Sequence, residues 1–282
     1  MNKDLQAISE QQKETWNRFA AGWKKWDSVT MEFLQPMKEA IINYLQPEDG
    51  QKILDIAAGT GEPALSIATG MKNGIVTITD ISSEMLEIVR QKAKAKKITN
   101  IDIVACDVSE LPFEDNSFDA VSCRFGFMFF PEMQSAANEI WRVLKPGGRF
   151  ATTVWNFPEK NFWVTAIMGT IMRLMEIPAP PSDVPGMFRC CKPGRMRGIL
   201  DKSGFRNIEE KEILSTLKAK SVDEYWEMMT EIGASVATAL SQANEAMRFK
   251  IKEEVFRIIK QKCPEKISLE ANAILITALK QE

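Results

Sequence analysis

Between Lys52 and Asn156 the spacing of apolar residues changes period repeatedly. KILDIA, IVTITD, IDIVACD, FDAVSCRF and RFATTVWN are short and mostly apolar, the pattern of strands buried on both faces. PALSIATGM, SSEMLEIVRQKAKAKK and EMQSAANEIWRVL instead return apolar residues every three or four positions, which predicts helices. The second of these opens on Ser82 and Ser83, both suited to capping, and the third is stopped by Lys145-Pro146-Gly147-Gly148. Strands alternating with helices at this length imply right-handed parallel crossovers, hence a doubly wound α/β sheet with helices on both faces.

The flanks read differently. Lys13 to Tyr44 is helical, with Trp16, Phe19, Trp23 and Trp26 recurring at spacings of three and four. After Asn156 the order loosens: PAPPSDVPG (178–186) is a stiff proline-rich loop, GRMRGILDKSG a helix and RNIEEKEIL a strand. Ser221 to Gln261 is largely helical, and ISLEANAILITALK closes with a strand signature. These shifts divide the chain into an N-terminal helical lid (1–47), a core (48–156), loops and a late strand (157–220), a helical cap (221–262) and a last core strand (263–282).

Composition narrows the function. The chain has 282 residues, and 36 basic against 38 acidic side chains leave a formal charge of −2. That balance gives no broad basic field for nucleic acid or an anionic membrane. Five cysteines (Cys106, Cys123, Cys190, Cys191, Cys263), odd in number and without CxxC spacing, are expected as free thiols in a reducing compartment. With no secretory pattern at the N-terminus and no apolar run near the ~20 residues of a membrane span, the expected location is cytoplasmic. The chain contains no histidine, which removes imidazole metal sites, histidine triads and the commonest general base; no metal is expected.

LDIAAGTGEPALSIA (54–68) carries the chemistry. A glycine turn at the carboxyl end of a first strand lets a ligand approach backbone and the next helix's N-terminal amides. Gly59 to Ala64 satisfies GxGxxG/A, a weak dinucleotide signal by itself. Asp55 and Glu62 place negative charge where a pyrophosphate would lie, which favours a ligand with a cationic amine. Asp80 ends the second strand, placed to grip ribose hydroxyls, and Asp107 ends the third, placed to accept from an adenine amine. Together they suggest a nucleoside carrying an amino acid, with S-adenosylmethionine the obvious candidate.

The runs ILDIAAGTGEPALSIA, TDISSEMLEIVR, ACDVSELPFEDNSFDAVSCRF and RVLKPGGRF resemble, in order and spacing, class I S-adenosylmethionine-dependent methyltransferases. They are most similar to the ubiquinone/menaquinone-biosynthesis C-methyltransferase branch. The resemblance covers Lys52 to Trp155, thins over Gly194 to Leu214 and is nearly absent in the helical block. It implies a mostly parallel seven-stranded sheet of the Rossmann-like methyltransferase fold, with N-terminal helices, a reversed last strand and a helical cap inserted before it. It further implies that Asp55, Ala57, Gly59, Thr60 and Gly61 surround the methionine moiety and that Asp80 holds the ribose. Ile81 and Met85 would flank the adenine, Asp107 and Val108 its amino edge, and Cys123 would face the sulfonium. Ala57 stands where the family often has glycine. An N-terminal aromatic helix can act as a lid in such proteins, with Trp16 and Phe19 the expected cofactor contacts and Trp23 and Trp26 the expected packing.

Arg124 is the candidate catalytic residue, expected to stabilise an acidic or phenolate-like acceptor. The aromatics Phe125, Phe127, Phe129 and Phe130 suggest an apolar substrate wall. Of Trp163, Met168, Met172, Met175, Trp226, Met228 and Met229, most are expected to be core and some to form an adaptable pocket. SCRFGF lacks the NPPY-like run of amino-methylating nucleic-acid enzymes, and no Pro-Cys nucleophile ends a strand, so a small-molecule acceptor is expected. A nicotinamide oxidoreductase and a non-catalytic binding module remain open alternatives, as do the acceptor, the methylated atom and the oligomeric state.

Overall fold

The computed structural model describes residues 3–281. Five strands form the parallel part of the sheet: β1 (Lys52–Ile56), β2 (Ile75–Asp80), β3 (Ile101–Ala105), β4 (Phe118–Arg124) and β5 (Leu144–Trp155). Two long strands complete it, β6 (Arg206–Ala219) and β7 (Ile267–Leu279), and the spatial order is β3-β2-β1-β4-β5-β7-β6. β7 runs antiparallel between β5 and β6, so the sheet has one reversed strand, as the resemblance implies. Alternation along β1 sends Leu54 and Ile56 into one core and Ile53 into the other. Each face needs a helical layer for that reason.

Helices α1 (Lys3–Lys25), α2 (Asp27–Phe33) and α3 (Gln35–Leu45) precede the sheet. The crossover helices are α4 (Ala64–Gly70), α5 (Ser83–Lys96) and α6 (Met133–Val143). Ser82 caps α5 by accepting from the Met85 amide at 3.1 Å, and Lys94 and Lys96 lie in its last turn, where the helix dipole favours cations. After β5 come α7 (Phe162–Met175) and α8 (Arg195–Lys202), and after β6 come α9 (Val222–Ile232), α10 (Ala234–Ser241) and α11 (Glu245–Lys262).

Three features depart from the sequence reading. β3 ends at Ala105, so Asp107 lies two residues beyond the strand rather than at its end. β5 begins at Leu144 rather than Arg149: Leu144 pairs with Phe118, the register shifts, and the ladder resumes at Ala120 and Arg149. Gly147 sits at φ +77° in the irregularity and donates its amide to the Lys280 carbonyl at 2.7 Å. Helix α7 falls in the stretch read as loosely ordered. FWVTAIMGTIMRLM is apolar at most of its positions, so few polar residues mark its period, and the helix packs against α10, α11 and β7.

Candidate functional site

The carboxyl ends of β1, β2 and β4 and the residues after β3 open onto one cavity of about 240 Å³. This is the edge where an open α/β sheet offers a crevice. Beneath one half lies the glycine turn. Ala57 is left-handed at φ 51°, a strained conformation for a residue with a Cβ, and Gly59 and Gly61 also have positive φ. Gly59 donates its amide to Asp80 Oδ2 at 2.8 Å, Gly61 to the Ala58 carbonyl at 2.9 Å, and Ala58 to the Thr79 carbonyl at 3.0 Å. The turn's amides are thus largely engaged within the protein rather than gathered into an anion-binding nest.

Asp80 also accepts from the Ser82 amide at 2.8 Å, and burial pushes its carboxyl above the usual range. Asp107 Oδ1 accepts from the Ser109 amide at 2.9 Å, and its Oδ2 accepts from the Ser9 hydroxyl of α1. Both aspartates face the cavity, with Ile81, Met85, Cys106 and Val108 beside them.

Of the expected cofactor residues, the fold brings Ala57, Gly59, Thr60, Asp80, Ile81, Met85, Asp107, Val108 and Trp16 to the wall, together with Arg124. It does not bring Asp55, Gly61, Cys123 or Phe19. Asp55 is 0 % exposed behind the turn, its Oδ1 accepting from Ser122 Oγ at 2.6 Å. Burial pushes its carboxyl up to about 7. Gly61 serves packing: a Cβ there would lie 2.8 Å from Leu65 Cδ1 and 3.2 Å from Val89 Cγ2. Cys123 is sealed beneath Gly126, and burial pushes its thiol up to about 12.

Phe19 is buried off the cavity, with the Arg18 guanidinium 5.0 Å above its ring, while Trp23 lines the wall in its place. Seven residues make nearly two full helical turns, so Trp16 and Trp23 share a line that Phe19 misses by about 60°. Trp26 is packing, its indole donating to Glu231 Oε2 at 2.7 Å. Glu62 also points away, accepting from the Ser66 amide at 3.3 Å with Lys96 3.9 Å distant. The negative charge on the wall therefore comes from Asp80 and Asp107 rather than from Asp55 and Glu62.

The sequence reading missed Ser9 and Gln12, which line the cavity from α1. Their spacing to Trp16 and Trp23 continues the same helical face, and the signal is weak because both are polar and break the aromatic stripe. The other half of the cavity is apolar. Phe125, Met128, Phe129 and Phe130 line it after β4, whereas Phe127 is fully buried in the core. Phe125 stacks on Trp155 with centroids 4.3 Å apart, and Trp16 meets Phe129 edge-on at 5.1 Å. Trp163 and Met168 of α7 and Met228 and Met229 of α9 supply the roof; Met172, Met175 and Trp226 do not reach it.

Strand order, reversed seventh strand and a glycine turn facing two aspartates define a Rossmann-like methyltransferase fold. The YcgJ protein of Bacillus subtilis shares it at TM-score 0.57 and 21% identity, covering 87% of this chain and 98% of that one. Haemonchus contortus phosphoethanolamine N-methyltransferase 2, in complex with S-adenosyl-L-methionine, matches at TM-score 0.54 and 20% identity, covering 87% and 52%. The [4+2]-cyclase SpnF also shares the fold, at TM-score 0.53 and 21% identity over 87% and 80%, so the fold alone does not set the reaction.

The chain belongs to the ubiE/COQ5 methyltransferase family, whose model matches residues 9–167. The ubiquinone/menaquinone biosynthesis C-methyltransferase UbiE of Ruegeria sp. is 40% identical over 113 residues, 40% of this chain and 45% of that protein. The UbiE of Brucella abortus is 45% identical over 118 residues, 40% and 44% of the two chains. The matches thus span less than half the length of these curated relatives.

Proposed function

We propose that this chain is an S-adenosylmethionine-dependent methyltransferase acting on a small, apolar or aromatic acceptor. The observation that carries the reading is the pairing of Asp80 and Asp107 on the wall with a glycine turn whose Gly59 and Gly61 amides are engaged internally. A phosphate-bearing dinucleotide would meet carboxylates and few free amides there, while a cationic sulfur nucleoside meets complementary charge. The residues present fit that cofactor. Each Asp80 oxygen holds one backbone amide and keeps acceptor capacity for ribose hydroxyls. Ile81, Met85 and Val108 form an apolar slot for adenine beside Asp107. When bound, the cofactor supplies a methyl group on a positively charged sulfur.

The chain's own contribution is positioning and exclusion of water. Trp16 against Phe129 closes the aromatic side, and the methionines of α7 and α9 offer a surface that adapts to an apolar acceptor. Burial pushes the Cys106 thiol up to about 11, and the chain has no histidine, so neither a thiolate nor an imidazole is at hand as a base. An acceptor that brings its own nucleophilicity, such as an electron-rich aromatic carbon or a phenolate, suits this wall. The names of the UbiE relatives support a carbon acceptor of quinone type.

Calorimetry with S-adenosylhomocysteine and with NAD tests the cofactor: binding of the first and not of the second is expected, and the reverse refutes the reading. Acceptor-dependent release of S-adenosylhomocysteine, screened over small aromatic acceptors with labelled methyl donor, separates an enzyme from a binding module.

A further inference from the structure

Among the described residues Arg124 is the one arginine on the cavity wall, and no carboxylate lies within ion-pair distance of it. Its Nε donates to the Glu62 carbonyl at 2.9 Å, which ties the guanidinium to the residue that follows Gly61 in the turn. Its Nη1 is shut off from solvent and has no hydrogen-bond partner among the described residues. The acids around it are Glu62, Asp55 and Asp27, and none forms an ion pair with it among the described residues.

Glu62 and Asp27 are engaged elsewhere, and Asp55 in part. Glu62 faces the Ser66 amide and Lys96; Asp27 takes Lys92 at 2.8 Å and the Thr60 hydroxyl at 3.2 Å; Asp55 accepts from Ser122 through Oδ1, and its buried Oδ2 has no partner among the described residues, while burial raises its carboxyl to about 7. Burial pulls the guanidinium below the usual arginine value, against the attraction of Glu62, Asp55 and Asp27. A buried cation left this way is costly until an anion joins it, and a guanidinium matches a carboxylate's two oxygens better than any other side chain does.

We propose that Arg124 is a binding residue for the α-carboxylate of the cofactor's amino-acid end, and not the group that stabilises the acceptor. The inference rests on the cofactor proposed above. The tether to Glu62 holds the guanidinium over the glycine turn, where the amino-acid end belongs if Asp80 takes the ribose and Asp107 the adenine. The roof formed by Trp163, Met168, Met228 and Met229 lies on other elements, α7 and α9. Among the ligand's groups, only the carboxylate is an anion.

The test is a cycle of calorimetric affinities. S-adenosylhomocysteine and its decarboxylated analogue, 5′-(3-aminopropyl)thioadenosine, are titrated into the wild-type protein and into Arg124→Met. In the wild type, removing the carboxylate is expected to weaken binding by roughly 10- to 100-fold, the range for a hydrogen bond to a charged group. In Arg124→Met, S-adenosylhomocysteine weakens by a similar factor and the two ligands bind alike. Equal carboxylate dependence in both proteins overturns the inference. So does an Arg124→Met protein whose S-adenosylhomocysteine affinity is unchanged while its acceptor KM rises. Should Arg124→Met not fold, equal binding of the two ligands to the wild type refutes the inference by itself. Failure of the wild type to bind either nucleoside instead refutes the cofactor assignment, so the two failures are distinguishable.

Discussion

Gly22 lies in α1 directly against the last turn of α9, so close that a Cβ there would lie 2.2 Å from the Glu231 carbonyl oxygen and 2.8 Å from its carbon. Gly22→Ala tests whether α1 is seated on the cap. Two effects oppose each other. Replacing glycine by alanine inside a helix contributes about 1 kcal/mol through backbone propensity. Against that, the new methyl falls short of ordinary contact distance by roughly 1 Å, and the obstacle is helix backbone, which no rotamer change can move aside. Overpacking of this kind costs about 1–3 kcal/mol. Displacing α1 would also strain the bonds that Lys25 Nζ and Trp26 Nε1 make to the Glu231 carboxylate, at 2.8 and 2.7 Å.

The clash is expected to win, with a net loss of up to about 2 kcal/mol and a fall in Tm of roughly 2–4 °C per kcal/mol. Gly169, in the exposed middle of α7, supplies the control, since a Cβ there meets nothing within 4 Å. Gly169→Ala therefore keeps the propensity gain alone and raises Tm. Calorimetric unfolding of both variants is the assay. If Gly22→Ala raises Tm in step with Gly169→Ala, α1 does not sit on α9, and the enclosure of the cavity by the N-terminal helix is wrong.

Two further expectations concern buried polar groups. Asn161 joins β5, β7 and α7: its Nδ2 donates to the carbonyls of Asn156, Phe157 and Asn272 at 3.0–3.1 Å, and its Oδ1 accepts from Trp163 Nε1 at 3.1 Å and the Asn272 amide at 3.0 Å. Asn161→Ala leaves several of these buried groups unsatisfied and should lower stability by about 3 kcal/mol or more in urea unfolding; a loss under about 1 kcal/mol would show the network to be dispensable. Asp55, with its carboxyl raised to about 7 by burial, binds a proton in the folded state that the unfolded chain releases near the ordinary aspartate value. Its contribution to stability therefore falls as pH rises from about 4 to about 7 and is level above that. The stability of Asp55→Asn minus that of wild type should rise across this window, and a flat difference would contradict the raised pKa.

The alternation of apolar periods specified strands β1 to β5 and their crossover helices, because burial on both faces of a parallel sheet leaves its mark within each short segment. The same local logic marked Gly59, Asp80 and Asp107: strand ends and tight turns are set by neighbours in sequence, and the sheet then brings those ends to one edge. Ser82 as the cap of α5 was legible for the same reason, since its partner is three residues away.

Tertiary structure decided what depends on partners distant in sequence. Whether Asp55 or Asp80 faces the cavity follows from Ser122, which lies 67 residues from Asp55 and holds its carboxyl behind the turn. Helix α7 is apolar at most positions and packs against α10, α11 and β7, all far along the chain, so its own segment carries few polar marks of its period. That Trp23 and not Phe19 reaches the cavity is settled by where α5 and α9 press on α1, and Ser9 meets Asp107 across 98 residues. Short-range periodicity encodes which face of an element is buried; only the assembled packing fixes what that face is buried against, and hence which groups a ligand can touch.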